Sequence, residues 1–240
     1  MSYLYNVFVF NPLYNSLIYL MDVFPWVDAG MAVIILTIVV RLILFPLSKK
    51  SIVTQVRMKE IEPELNKIKN TVTDKQQQTL KIMALYKERG VNPFSSFFML
   101  FIQIPIIFAL YSIFIRSGLP VVKTTLLYSF VSVPTISMHF LGIIDVGSPN
   151  IYLAIIASIA QYVQLHFSVA SAGSNQKSSS PQADMTQNMM KSMKYVLPVM
   201  VFMFTYKIAA VVALYWTVGS LFTLAQELVV RRHISKHQPL

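Results

Sequence analysis

The stretch "MAVIILTIVVRLILFPL", Met31 to Leu47, decides how this chain folds, because it reads as a membrane span with a permanent cation, Arg41, set inside it. The rest of the chain supports that reading. Of 240 residues, 55% are hydrophobic and 12% charged, more apolar surface than one small soluble core can bury. Several apolar runs approach the roughly 20 residues that a helix needs to cross hydrocarbon. The chain is therefore an integral membrane protein. It has no cysteine, which excludes disulfides, thiolate metal sites, a cysteine nucleophile and lipid attachment through sulfur.

Outward from that stretch, five spans are expected, at about 28–47, 94–115, 151–170, 191–206 and 210–230. Residues 1–26 are rich in Tyr and Phe but interrupted by Asn6, Asn11, Pro12 and Asn15. They are expected to form an amphipathic segment at the membrane surface, with a sixth span as the alternative. No Lys or Arg precedes Arg41, so the basic flank of a signal peptide is missing. "NPF" at 92–94 supplies an Asn cap and a proline at the start of the second span. "SAGSNQKSSSPQAD" begins a flexible linker at 171–190.

Segment 126–146 is long enough to cross, but it is broken by Pro134, His139 and several hydroxyls. Charge decides its placement. If it does not cross, 48–92, 171–194 and the C-terminal tail share one side with 10, 3 and 3 Lys/Arg, leaving only Arg116, Lys123 and Lys207 opposite. That matches the excess of cations on cytoplasmic loops. The expected topology is N-terminus outside and C-terminus in the cytoplasm, with 117–150 an external cap and 233–240 a short cytoplasmic tail. The net charge of +10 is then largely a topology signal, and no specific nucleic-acid partner follows from it.

The cytoplasmic segment 48–92 reads as a helical hairpin. Ile52, Val56, Ile61, Leu65 and Ile68 recur at near-helical spacing, with Pro63 marking a kink or restart. Asp74 or Thr73 caps the second helix, Leu80, Met83 and Ala84 lie along one side, and Gly90 stops it.

Two explanations fit Arg41. Its side chain can snorkel toward Leu47, roughly 9 Å away along a helix. Alternatively it faces a hydrated cavity, because an intramembrane arginine costs at least ~2.5 kcal/mol and needs water, a partner or a function. Thr37 lies one turn away on the same face. No acid stands at a comparable depth, Glu227 being the nearest candidate. Gln103 and Gln161 are amides inside spans, where neighbour-helix hydrogen bonds are their usual fate. Met185, Met189, Met190, Met193, Met200 and Met203 suit either adaptable apolar contact or plain packing. His139 and His166 stand singly, and no nucleophile with a base, paired carboxylate, phosphate loop or metal-ligand spacing appears, so neither an enzyme nor a cofactor is expected.

Taken in order, "TIVVRLILFPLSKKS", "IEPEL", "GVNPFSSFFMLFIQIPIIFALY", "FLGIIDVGSPN" and "ALYWTVGSLFTLAQE" resemble the YidC-type membrane protein insertases, relatives of the Oxa and Alb proteins. The resemblance covers roughly 25–232. It implies an all-α insertase core at 27–232, with five transmembrane helices around a hydrophilic groove lined by Arg41, Thr37, Gln103, Gln161 and Trp216. It also implies a bacterial plasma-membrane location and nascent membrane proteins as partners, with ribosomes, the Sec translocon and membrane lipid as further ones and no small-molecule substrate. The chain departs from the pattern in three places. "YKIAAVV" lacks a Pro or Gly between the last two spans, "RRHISKHQPL" is a short tail, and no large extracytoplasmic domain is present. A small-solute transporter or channel is the alternative function, although internal repeats and intramembrane acids are missing.

Overall fold

A computed structural model describes residues 3–92, 95–116, 118–170 and 181–237 of the chain. Pro93 and linker residues 171–180, on which two of the sequence readings fall, lie outside the described residues.

The chain opens with a helical turn, Tyr3–Tyr5, a π-helical segment, Asn6–Phe10, and helix α1, Asn11–Val23. Pro12 has no N–H to offer, and just ahead of it the Asn11 N–H reaches back five residues to the Asn6 carbonyl. Tyr14, Leu17, Ile18 and Met21 bury one face, yet Leu4, Phe8, Tyr19 and Val23 make the other face apolar as well. The segment expected to be amphipathic is thus apolar on both sides. Its few polar atoms are used on the loop 118–150, to which Tyr14 and Asn15 hydrogen-bond.

Helix α2, Ala29–Ile43, starts at Asp28, whose Oδ1 accepts from the Met31 N–H at 2.8 Å. It ends at Leu44, where the chain bends by 63° into α3, Phe45–Glu60. Pro46 explains the bend: it cannot donate to the carbonyl one turn back and its ring crowds that carbonyl. The span expected to run straight from 28 to 47 therefore turns aside three residues before Leu47.

Beyond the elbow, α3, α4 (Glu62–Thr71) and α5 (Lys75–Glu88) form the hairpin. Asp74 caps α5 through the Gln76 N–H, and Gly90 takes φ +61°, letting Val91 fold back. Ile61, Leu65, Leu85 and Val91 make a separate small core, flanked by Met58, Ile68, Ile82 and Tyr86. The second helix turns a different face inward from the one expected. Leu80 and Met83 are 67% and 62% exposed. Apolar residues lie around much of α5, so spacing left two faces open, and the return of Val91 selects the one carrying Leu85.

Helix α6, Ser95–Tyr111, contains Pro105 and runs on into a π-helical turn, Ser112–Arg116. Helices α7, Ile151–Ala170, and α8, Pro181–Tyr206, pack along each other, and α9, Ala210–His237, contacts α2, α3, α6, α7 and α8. The linker expected at 171–190 is helical from Pro181 onward. Among the described residues, Ile151–Ser168 and Ala210–Ile234 are long and apolar enough to cross a bilayer. The bent pair Ala29–Ile43 with Phe45–Met58 adds a third if counted as one span, and Ile102–Ile115 and Lys194–Tyr206 are shorter apolar helices.

Loop 118–150 contains no crossing helix, only a 3-10 turn, Thr124–Leu126, and the antiparallel pair β1 (His139–Phe140) and β2 (Ile144–Asp145). It closes one end of the bundle. The Ala29 N–H donates to the Ser137 carbonyl, and the Ala210 and Val211 N–H groups donate to the carbonyls of Ser148 and Val146. Those loop carbonyls satisfy donors that a helix start leaves open. The turn before α9 therefore works without Pro or Gly: loop 118–150 caps the helix, and the buried Ala209 and Ala210 let it fit tightly.

Candidate functional site

A helix displays residues four apart on one face, and "YWTVGS", 215–220, makes two such rows side by side on α9. Tyr215 and Gly219 form one row. Trp216 and Ser220 form the next. Each row meets polar side chains from other helices.

On the first row, Arg41 extends from the last turn of α2 and its Nη2 donates to Gln103 Oε1 on α6 at 3.1 Å. The Gln103 Nε2 in turn donates to the Tyr215 hydroxyl at 2.7 Å. The guanidinium rests on the backbone of Gly219, where an added Cβ would stand 2.7 Å from Nη2. Arg41 is half-buried, and among the described residues it has no ion-pair partner. Glu227 is engaged elsewhere: it is 4% exposed, accepts two bonds from Arg231 at 3.0 and 2.6 Å, and takes a third from Ser168. The result is a half-buried cation at the last turn of α2, oriented by neutral groups and without a counter-charge among the described residues.

On the second row, Trp216 Nε1–H donates to Gln161 Oε1 at 2.6 Å, and the Ser220 hydroxyl shares that acceptor at 3.2 Å. Gln161 donates onward to Gln164 at 2.8 Å. The α7 amide is thus locked to α9 by its oxygen and to its own helix by its nitrogen.

The structure brings together Arg41 with Gln103, and Gln161 with Trp216. Thr37 joins neither cluster. It is 3% exposed, and its hydroxyl donates to the Val33 carbonyl of its own helix at 2.6 Å. Tyr215, Gly219, Ser220 and Gln164 belong to the clusters without having been singled out; the paired four-residue spacing on α9 could have found the first three, and Gln164 lies one turn from Gln161 on α7. Met200 and Met203 are exposed, whereas the side chains of Met185, Met189, Met190 and Met193 lie outside the described residues. His166 sits in a ring cluster with Tyr162 and Phe167, and among the described residues no group of His, Asp and Glu could hold a metal ion.

The comparisons with known proteins converge on one family. The family described as "60Kd inner membrane protein" matches residues 19–237. The chain belongs to this family, the YidC/Oxa1 membrane protein insertases. A Clostridium tetani protein named membrane protein insertase YidC is 33% identical, over 89% of this chain and 86% of its own. Bacillus subtilis MisCA, also named a membrane protein insertase, is 30% identical, over 88% of this chain and 73% of its own. The Fusobacterium nucleatum YidC is 28% identical and is matched nearly end to end, over 97% of this chain and 98% of its own. Among solved structures, an active YidC insertase with its first transmembrane domain resolved superposes with a TM-score of 0.60 at 22% identity. That match covers 90% of this chain but 45% of the longer solved one, and at this identity it speaks to fold alone.

Proposed function

We propose that this chain inserts nascent membrane proteins into the bacterial plasma membrane by admitting their polar segments to a hydrophilic groove around Arg41. Five helices would frame that groove: α2 with its elbow, α6, α7, α8 and α9. Their starts and ends support alternating passes. The loop 118–150 follows α6, precedes α7 and hydrogen-bonds to the first residues of α2 and α9, so these ends share one side, with the hairpin on the other. The N-terminus is placed outside and the C-terminus in the cytoplasm on the charge distribution already described.

The observation that carries this reading is the Arg41 guanidinium, which has no ion-pair partner among the described residues. A cation held in an apolar setting without a counter-charge is costly, and it offers a strong site for an incoming carboxylate or backbone carbonyl. Gln103, Tyr215 and Gly219 fix where it points. A polar tail attracted there avoids part of the cost of crossing dry hydrocarbon. The substrate's apolar helix then moves sideways into lipid, and its burial drives the step without a nucleotide or a covalent intermediate. The hairpin, with its own small core and charged surface, would receive substrates. Ribosomes and the Sec translocon are the remaining partners of this proposal.

The test is insertion into proteoliposomes of matched substrates whose tails differ only in acidic residues, with the level of each variant checked. Arg41→Lys should retain much of the activity because it keeps the cation and loses only the planar fork. Arg41→Ala should lose most activity on the acidic tail, and Arg41→Glu more. Like charges about 6 Å apart at an effective dielectric near 20 repel by roughly 3 kcal/mol, about a hundredfold in rate if fully felt. Full activity of Arg41→Ala on the acidic tail would leave Arg41 as a snorkelling residue and overturn the mechanism.

A further inference from the structure

Loop 118–150 is unusual for a surface loop. In thirty-three residues it carries two charged side chains, Lys123 and Asp145. About a quarter of the residues in an ordinary soluble domain are charged. Its projecting side chains are instead apolar. Val121, Phe130, Val133, Leu141 and Ile143 stand out from the bundle, with Ile143 81% exposed. The positive φ values of Leu141 and Gly142 make the turn after β1 that carries Ile143 outward.

This apolar edge does not stop at the loop. The Phe130 ring meets Tyr19 of α1 edge-on at 6.1 Å and lies 5.7 Å from the Tyr128 ring. Phe24 and Trp26, 5.9 Å apart, extend it along the connection between α1 and α2, where Trp26 is 71% exposed. Tyr19 and Val23 lie on the apolar stripe that also carries Leu4 and Phe8. Exposed apolar and aromatic side chains are therefore gathered at the capped end of the bundle, on the loop, on α1 and on the connection to α2. Clustered Trp, Tyr and Phe at a membrane boundary are the composition of a headgroup-level belt. The loop's backbone is also prepared for low polarity, since many of its polar groups are bonded to the ends of α1, α2 and α9 or to each other. A segment whose backbone is satisfied internally can enter an apolar phase at little cost.

We propose that this rim is a lipid-binding surface, with Trp26, Phe130 and Ile143 seated in the headgroup–acyl boundary of the leaflet at the capped end. The partner is the bilayer itself. The rim has almost no charge to complement a charged protein, and it continues a surface already facing lipid. Seating of about 5–10 Å, the usual depth of interfacial elements, would hold the capped end at a fixed level in that leaflet.

Depth-dependent quenching tests this. The chain has two tryptophans, so Trp216→Phe leaves Trp26 as the sole reporter. Phe130→Trp and Ile143→Trp, each with Trp26 and Trp216 replaced by Phe, report the other two positions. Both substitutions are at exposed sites. The purified full chain is reconstituted in phosphatidylcholine vesicles carrying bromine near the headgroup end or near the methyl end of the acyl chains. All three indoles should emit at shorter wavelength than in water, lose most of their emission to the shallow bromines and less to the deep ones, and resist aqueous iodide. Quenching by iodide but not by bromolipid would place the rim in water and overturn the proposal. Resistance to both quenchers would mean that a second copy of the chain covers the rim, and would overturn it equally. Because substrate insertion is not part of the readout, the outcome is independent of the groove mechanism.

Discussion

The guanidinium of Arg41 lies where it does because α9 offers it a residue without a side chain. With a Cβ at Gly219, Nη2 would be met at 2.7 Å and would have to move, though only the flexible end of the arginine must yield. Gly219→Ala should therefore fold normally but shift the cation away from Gln103. The upper bound is the loss of one hydrogen bond to a charged group, about 1.5–3 kcal/mol. Insertion of an acidic-tail substrate should fall several-fold while its neutral-tail counterpart changes little. Gly219→Leu, which fills the seat, should approach Arg41→Ala. An equal loss on both substrates would mean that Gly219 serves helix packing alone. At this scale the sequence draws attention to long polar groups that interrupt apolar runs, Arg41, Gln103 and Gln161, and the structure joins Arg41 to Gln103 and Gln161 to Trp216. It does not reveal that the Thr37 hydroxyl returns to the carbonyl one turn back, as those of Thr205, Thr217 and Thr223 also do. It was silent at Gly219, whose role is the space it leaves.

Elements were legible where the chain carries its own punctuation. Asp74, Pro63 and Gly90 mark starts and stops that the structure keeps. The elbow at Leu44 was less so, because Pro46 sits within an apolar run and its effect on direction depends on what α3 packs against. There Gln226 of α9 reaches Ser48 and the Phe45 carbonyl, fastening the bend to the bundle. The hairpin beyond it depends on a core of four buried residues, separate from the main one. So small a core makes the hairpin a local unit that can open while the bundle stays folded. Leu85→Ala should cost about 2–3 kcal/mol within that unit. Hydrogen exchange should speed up over α4 and α5 and stay unchanged in α7 and α9. Replacing 52–88 by a short flexible linker should likewise leave the bundle intact and impair insertion. Unchanged insertion by that chain would remove the hairpin from the mechanism, and exchange spreading into α9 would show that the two cores are one cooperative unit.

For the molecule as a whole, orientation follows from combining charge with connectivity. Neither is sufficient alone: the cation count depends on whether 126–146 crosses, and helix lengths by themselves give two or three spans. The loop bears on the first question, because it is short-stranded, without a long helix, and bonded to helix starts at a single end of the bundle. The hairpin, with ten Lys/Arg in 48–92, then belongs to the opposite end. Translocating those cations against the membrane potential would be unfavourable, at about 2.3 kcal/mol per charge per 100 mV. The capped end is therefore expected outside. Thr125 and Gln77, both exposed, report the two ends. In intact cells, an impermeant thiol reagent should label the Thr125→Cys variant directly and the Gln77→Cys variant only after the membrane is opened. The absence of native cysteine keeps the background clean. Labelling in the reverse order would invert the protein and place the basic hairpin outside. Labelling of both variants in intact cells would mean that the loop and hairpin share a side, which five alternating passes do not allow.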